Sequence, residues 1–329
     1  MRRVYSETVP IARLAESPVL GMLAERQIQL LAAVRPGQSS AAVRLTERAR
    51  QLGLSIGLWP MLGDDAGRWL NPDSASAFQD WIDELLSAFD DRTFDDPPFD
   101  TLVLDLEPPI REVRALLDGR VGAARAWMRR CPSQDLHRRL VEQVADRGIE
   151  SFAAVVPTVL FPGRAGRGWQ RALGTPVDGI DYCRVSPMLY TSLFEGYGRG
   201  ALRREDASEL LRRWAALAVD RLGPRASVSL GAVGTGALGD EQVYRSPKEL
   251  AEDVGVVRGV GCEDIVLFDL GGVLRRAPVA PWLDALAVPV PLSKPAAPTG
   301  RARALDSIAR VTGVALDVAD GLILSRQEC

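Results

Sequence analysis

Two carboxylates stand two residues apart where an apolar run ends, in Phe99-Asp100-Thr101-Leu102-Val103-Leu104-Asp105-Leu106-Glu107-Pro108-Pro109. On an extended strand such a pair shares one face, about 6.5 Å apart along the chain. Like charges crowded at a partly dry site raise at least one pKa, which suits a carboxyl group to proton donation near neutral pH. A solvated acidic turn closing a strand carries the same tripeptide, so the position of the motif in the fold must decide between the two.

A second group lies in Arg184-Val185-Ser186-Pro187-Met188-Leu189-Tyr190, where alternation puts Arg184, Ser186, Met188 and Tyr190 on one face. That arginine is either a clamp for an anionic substrate group or a counter-ion for Asp105 or Asp181. Trp59 closes another apolar run, with Trp69 and Trp169 expected in loops on the same side, and such aromatic faces can stack on sugar rings. Trp81, Trp127, Trp214 and Trp282 fall in or near helical patterns and are expected in the core. Glu7 is a candidate third acid, and Asp269 ends the last apolar run. Asp105, Glu107 and Asp269 could gather around a divalent cation, but oxygen ligands leave no readable spacing, and no metal or cofactor is assigned. Glycines at Gly234, Gly236, Gly239, Gly271 and Gly272 follow two of the runs and could form a backbone cup for a phosphate.

The elements that must position these groups alternate. Candidate strands cover 4–10, 28–35, 54–60, 101–107, 152–159, 183–190, 226–233 and 264–270. Helical patterns lie near 17–26, 39–52, 74–89, 135–148, 167–174, 206–222 and 246–260. Ser74 is expected to cap one helix, and Gly148 and Gly223 to end two others. Eight strands separated by helices predict a (β/α)₈ barrel, an α/β TIM barrel, over 1–287. Leu102, Leu104 and Leu106 would face the helices, while Thr101, Val103, Asp105 and Glu107 would fill the barrel. Residues 108–134 read as a helical insertion after strand four. A Pro-rich connector spans 288–300, and a helical tail, 301–329, is expected to pack on the barrel. A Rossmann-type open sheet is the alternative, but no G-x-G-x-x-G follows an early strand.

Composition bounds the function. The chain has 329 residues with 40 Lys+Arg against 43 Asp+Glu, a formal net charge of −3 that argues against a nucleic-acid partner. A single histidine, His137, excludes mechanisms needing two imidazoles, and the four cysteines form no C-x-x-C. Scattered thiols, no apolar leader after Met1 and no long uncharged apolar stretch lead to the expectation of a cytoplasmic protein without a membrane span.

With the acids ending strand four and Met188-Leu189-Tyr190 ending strand six, the chain resembles glycoside hydrolase family 18, the chitinase-like barrels. That family carries D-x-x-D-x-D-x-E on strand four, often followed by Tyr-Pro, and Met-x-Tyr on strand six. Asp100, Asp105 and Glu107 match three of the four acids, Pro109 the proline, and Met188 and Tyr190 the second motif. Val103 stands in place of the remaining acid, Thr191 where Asp or Asn often follows the tyrosine, and Phe268 where a tryptophan usually floors the sugar site.

The resemblance implies Glu107 as the general acid on the glycosidic oxygen. It implies Asp105 as the group orienting a substrate 2-acetamido nucleophile, and Tyr190 as a donor to the acetamido carbonyl. Asp100, Trp59, Arg184, Met188, Asp269 and Glu7 complete the expected substrate-binding set, for a carbohydrate or glycoside. Two other functions stay open: an isomerase or lyase acting on a phosphorylated small molecule, and an inactive chitinase-like glycan-binding protein.

Overall fold

Alternation along the strands decides which side chains meet the helices and which fill the centre. In the computed structural model, which describes residues 1–90, 97–117, 134–197, 200–235, 239, 242–287 and 298–324, eight parallel strands form a barrel. They are β1 (Arg2–Ser6), β2 (Ile28–Val34), β3 (Ile56–Pro60), β4 (Thr101–Leu106), β5 (Glu150–Val155), β6 (Arg184–Pro187), β7 (Val228–Gly231) and β8 (Ile265–Phe268). The paired order is β6-β5-β4-β3-β2-β1-β8-β7, every neighbour parallel. Two bridges, Val185 to Ala226 and Met188 to Ser229, bring β6 against β7 and all but close the ring.

The surrounding helices are α1 (Ile11–Ala15), α2 (Val19–Glu25), α3 (Ser39–Gln51), α4 (Ala75–Asp90), α5 (Ile110–Leu117), α6 (Gln134–Ala145), α7 (Gly163–Leu173), α8 (Thr191–Tyr197), α9 (Arg204–Leu222), α10 (Pro247–Gly259), α11 (Leu270–Arg275), α12 (Ala280–Ala287) and α13 (Gly300–Leu324). Every expected strand is present, though shorter: the run expected at 152–159 is strand only to Val155, and Pro157 opens a 3₁₀ turn over Pro157–Leu160. Gly148 and Gly223 take positive φ where helices end. Ser74 ties a loop instead of only marking a helix start: its hydroxyl donates to the Trp69 carbonyl and accepts from the Asn71 N–H. Of the connector expected at 288–300, residues 288–297 lie outside the described residues, as do 118–133, including Trp127, of the insertion expected at 108–134.

The outward faces carry the main apolar core, with Leu30, Leu58, Leu102, Leu104, Val185 and Leu267 fully buried against the helices, and Trp81, Trp214 and Trp282 in the same cluster. The inward faces stack in layers. At the floor Arg3, fully buried, donates to Asp264 (3.0 Å), Gln29 (2.6 Å), Thr101 (3.2 Å) and Glu150 (2.8 Å). Above it Tyr5, Leu31, Val103, Phe152 and Val266 make a second, mainly apolar core. The Ser186 and Ser229 hydroxyls are 2.8 Å apart beside them.

Three expectations about site residues are corrected here. Arg184 opens β6 at the floor, where Nε donates to Asp264 (3.2 Å), so neither Asp105 nor Asp181 is its partner. Asp100 precedes β4, and its carboxylate accepts from Ser55 Oγ and the Ile56 N–H, both at 2.7 Å. Its place is the strand-start end of the barrel, away from the acids it shares a motif with. Trp169 lies within α7 and donates through Nε1 to the Ala309 carbonyl of α13 (2.9 Å), so it packs the tail helix and not the mouth. There α7 and α13 touch backbone to backbone: a Cβ on Gly168 would stand 1.9 Å from the Gly313 carbonyl oxygen. Asp317 of α13 pairs with Arg164 at 2.7 Å, and Asp306 accepts from Trp214 Nε1 at 2.8 Å. Among the described residues no helix is long and apolar enough to cross a membrane.

Candidate active site

The third inward layer lies at the carboxyl ends of the strands and surrounds a cavity of about 230 Å³. Its lining brings together Glu7 from the end of β1, Trp59 from β3, Asp105 and Glu107 from β4, Met188 and Tyr190 after β6, and Phe268 from β8. Asp105 is buried as the fifth residue of β4, and Glu107 stands half-buried just past the strand end. Trp69, Tyr5 and Phe194 complete an aromatic wall. Sequence patterning singled out neither Tyr5 nor Phe194; Tyr5 stands two residues before Glu7 on the same face, a signal that could have found it, whereas Phe194, on α8, left none of its own.

Local structure explains how the acids are held. The loop after β3 is pinned to β4 at the acid itself, where the Leu70 N–H donates to the Asp105 carbonyl oxygen (3.0 Å). The same loop closes on itself through Leu62 N–H to the Arg68 carbonyl (2.9 Å), with Gly67 at φ +97° and Arg68 at φ +63°. A left-handed arginine is uncommon, and here it directs the guanidinium inward. Arg68 forms ion pairs with buried Glu7 and with Asp64, and its guanidinium carbon lies 5.9 Å from the Trp69 ring centre. Arg114 of α5 reaches Asp64 at 3.2 Å, so an ionic chain runs from the first strand to the helix after the fourth. Sequence patterning did not single out Arg68.

Across the cavity, Tyr190 stacks on Phe268 with ring centres 5.5 Å apart and planes inclined by 24°. Gly231 makes room for that pair: a Cβ there would meet Tyr190 Cδ1 at 3.0 Å and the Phe268 carbonyl oxygen at 3.1 Å. Thr191 points elsewhere, donating to Asp253 (2.5 Å) in a buried cluster with Tyr244 and Arg204.

The electrostatics follow from the crowding of acids in an apolar setting. Burial, reinforced by the negative charge of Glu7, pushes Glu107 up to about 7; a hydrogen bond with Asp105 and the Arg68 cation act the other way. Burial, then Glu107 and Glu7, raises Asp105 well above the usual carboxylate range. The charge of Glu107 thus bears directly on Asp105, its neighbour on the cavity wall. Burial likewise raises the Tyr190 phenol, which stays a neutral donor. Asp105 Oδ1 and Trp59 Nε1 are buried and find no hydrogen-bond partner among the described residues, which leaves one acceptor and one donor for a ligand or water.

Asp269 is not part of this lining. It caps α11, its carboxylate accepting from the Gly272 (2.9 Å) and Gly271 (3.3 Å) N–H groups. That carboxylate already occupies the amides a phosphate cup would take after β8; Gly236, in the loop after β7, lies outside the described residues. Gly234 serves close packing instead, since a Cβ there would lie 2.6 Å from the Gly272 Cα. Among the described residues no three side chains gather as metal ligands. The arrangement can donate a proton near neutral pH from Glu107, set the Asp105 carboxyl beside it as a hydrogen-bonding group, offer the Tyr190 hydroxyl to an oxygen, and hold a ring against aromatic faces.

No protein-family model matches the chain, and no curated protein matches it. Among solved structures it is similar to the glycoside hydrolase domain of PgaB (BpsB) from Bordetella bronchiseptica, at 13% identity and a TM-score of 0.49, covering 88% of this chain and 99% of that one. It is also similar to a GH18 chitinase from Pseudoalteromonas aurantia, at 12% identity and a TM-score of 0.48, covering 87% and 98%. A class V chitinase from Nicotiana tobaccum aligns at 12% identity and a TM-score of 0.46, covering 87% and 99%.

Proposed function

We propose that this barrel hydrolyses a glycosidic bond, with Glu107 as the proton donor to the leaving oxygen. The observation that carries the proposal is the juxtaposition of Asp105 and Glu107 on the cavity wall, with Glu107 raised to about 7. A carboxyl group held near that value is available both to give a proton and to take one back. In this scheme Asp105, held protonated, hydrogen-bonds and orients an acetamido group of the substrate that attacks from within. Tyr190 donates to that group's oxygen. Trp59, Trp69, Met188 and Phe268 enclose the ring, and Glu7 supports the acids through its pair with Arg68.

The substrate we assign is a carbohydrate or small glycoside, and the scattered cysteines favour work in a reducing compartment. The phosphate-site alternative is weakened by Asp269, which fills the amides after β8. The glycan-binding alternative is weakened by the presence of the general acid itself. A panel of chromogenic glycosides, with and without a 2-acetamido group, tests the proposal on wild type and Glu107→Gln. Turnover by wild type, lost in the variant with ligand binding retained, is expected; no turnover across the panel overturns it.

A further inference from the structure

Outside the cavity, one surface departs most from what water favours. Of the five large apolar side chains that stand exposed among the described residues, four lie on α13: Ile308 (62%), Val311 (70%), Val314 (38%) and Val318 (41%). With Ala304 and Ala315, also exposed, the series 304, 308, 311, 315, 318 advances by four and three residues in turn. That 3.5-residue repeat, two heptads long, matches the seam along which a second helix packs in a two-helix coil. Between residues 304 and 319 no charged side chain is exposed; Asp306 and Asp317 are buried against the barrel side, and Arg310 is half-buried over the Phe161 ring. A helix face left to solvent would carry charges there.

We propose that α13 is a self-association surface on which a second copy of this chain lays its own α13. The flanks of the seam, Ser307, Thr312 and Val314, carry no charge. Identical helices therefore meet without like-charge opposition, and the helix has none of the flanking charges that select a different partner in coiled coils. Such a pairing is two-fold and self-complementary, the commonest form of closed assembly. The surface is also rigid beforehand. The Gly168–Gly313 approach and the Asp317 and Asp306 anchors fix α13 to α7 and α9, so little ordering is needed on docking.

Light scattering on the full chain across a wide concentration range tests this directly. Wild type is expected at the mass of two chains, and Val311→Glu and Ile308→Lys at the mass of one, each weakening association at least tenfold while melting like wild type. Amide exchange supplies a measurement free of substitutions: protection over 304–318 should rise with protein concentration. A wild-type mass of one chain throughout, concentration-independent exchange, or an assembly that survives both substitutions overturns the proposal.

Discussion

The carboxyl groups of Asp105, on β4, and Glu107, just past its end, line the same cavity, and both are raised because burial disfavours two charges side by side. The pair therefore holds a proton at a pH where isolated carboxylates have lost theirs. Proton donation by Glu107 should weaken as pH climbs through about 7, so kcat/KM is expected to show an alkaline limb there. Glu107→Gln should lower kcat by about 10²–10⁴-fold, the usual contribution of a general acid. A flat profile from pH 6 to 9 would remove Glu107 from that role.

The same shift has a cost in stability. Glu107 moves from 4.5 when unfolded to about 7 in the fold. Between those values the folded state binds more protons than the unfolded chain, so stability falls as pH rises across that interval. Glu107→Gln should accordingly melt higher than wild type at pH 8 and at about the same temperature at pH 4. Equal melting shifts at both values would contradict the linkage.

Arg68 lies where its cation lowers both acids while neutralising Glu7. Arg68→Met should move the alkaline limb of kcat/KM to higher pH. It should also destabilise the fold by about 3 kcal/mol, since Glu7 is left buried without its partner. A variant with an unmoved pH profile would reduce Arg68 to a purely structural part.

At Gly231 the expected change is local. Gly231→Ala sets a methyl 3.0 Å from the Tyr190 ring, so the stacked Tyr190–Phe268 wall must shift. A tenfold or larger loss in kcat/KM is expected, with no change in the pH at which the alkaline limb falls. Denaturant unfolding and rate profiles measured together separate this from general destabilisation.

At the tail, Gly168→Ala should destabilise by about 1–3 kcal/mol through overpacking, because the backbone carbonyl of Gly313 stands 1.9 Å from where the methyl would lie. Denaturant midpoints, with turnover per folded molecule unchanged, would check it.

The eight strands were legible because period-two alternation with intervening helical patterns leaves few other arrangements. The lining acids were legible for the same reason, Asp105, Glu107 and Glu7 all lying at strand ends. Depth was not. Alternation says that Arg184 and Tyr190 face inward together, but not that β6 starts at Arg184 and lifts only the later residues to the mouth. How far each strand rises is fixed by its register with neighbours, which is non-local. Asp100 was misplaced on that account. Asp269 follows Phe268 on the opposite parity, and its side chain closes on the helix it begins. Trp169 needed the tail helix, whose docking rests on a glycine contact that no single segment announces.

The buried Arg3 network gives the barrel a stopper. The interior is thus closed at its floor, and on the proposed function substrate and product pass by the carboxyl ends of the strands. On that reading a cleaved leaving group departs by the way the substrate came, so release and reloading share one path.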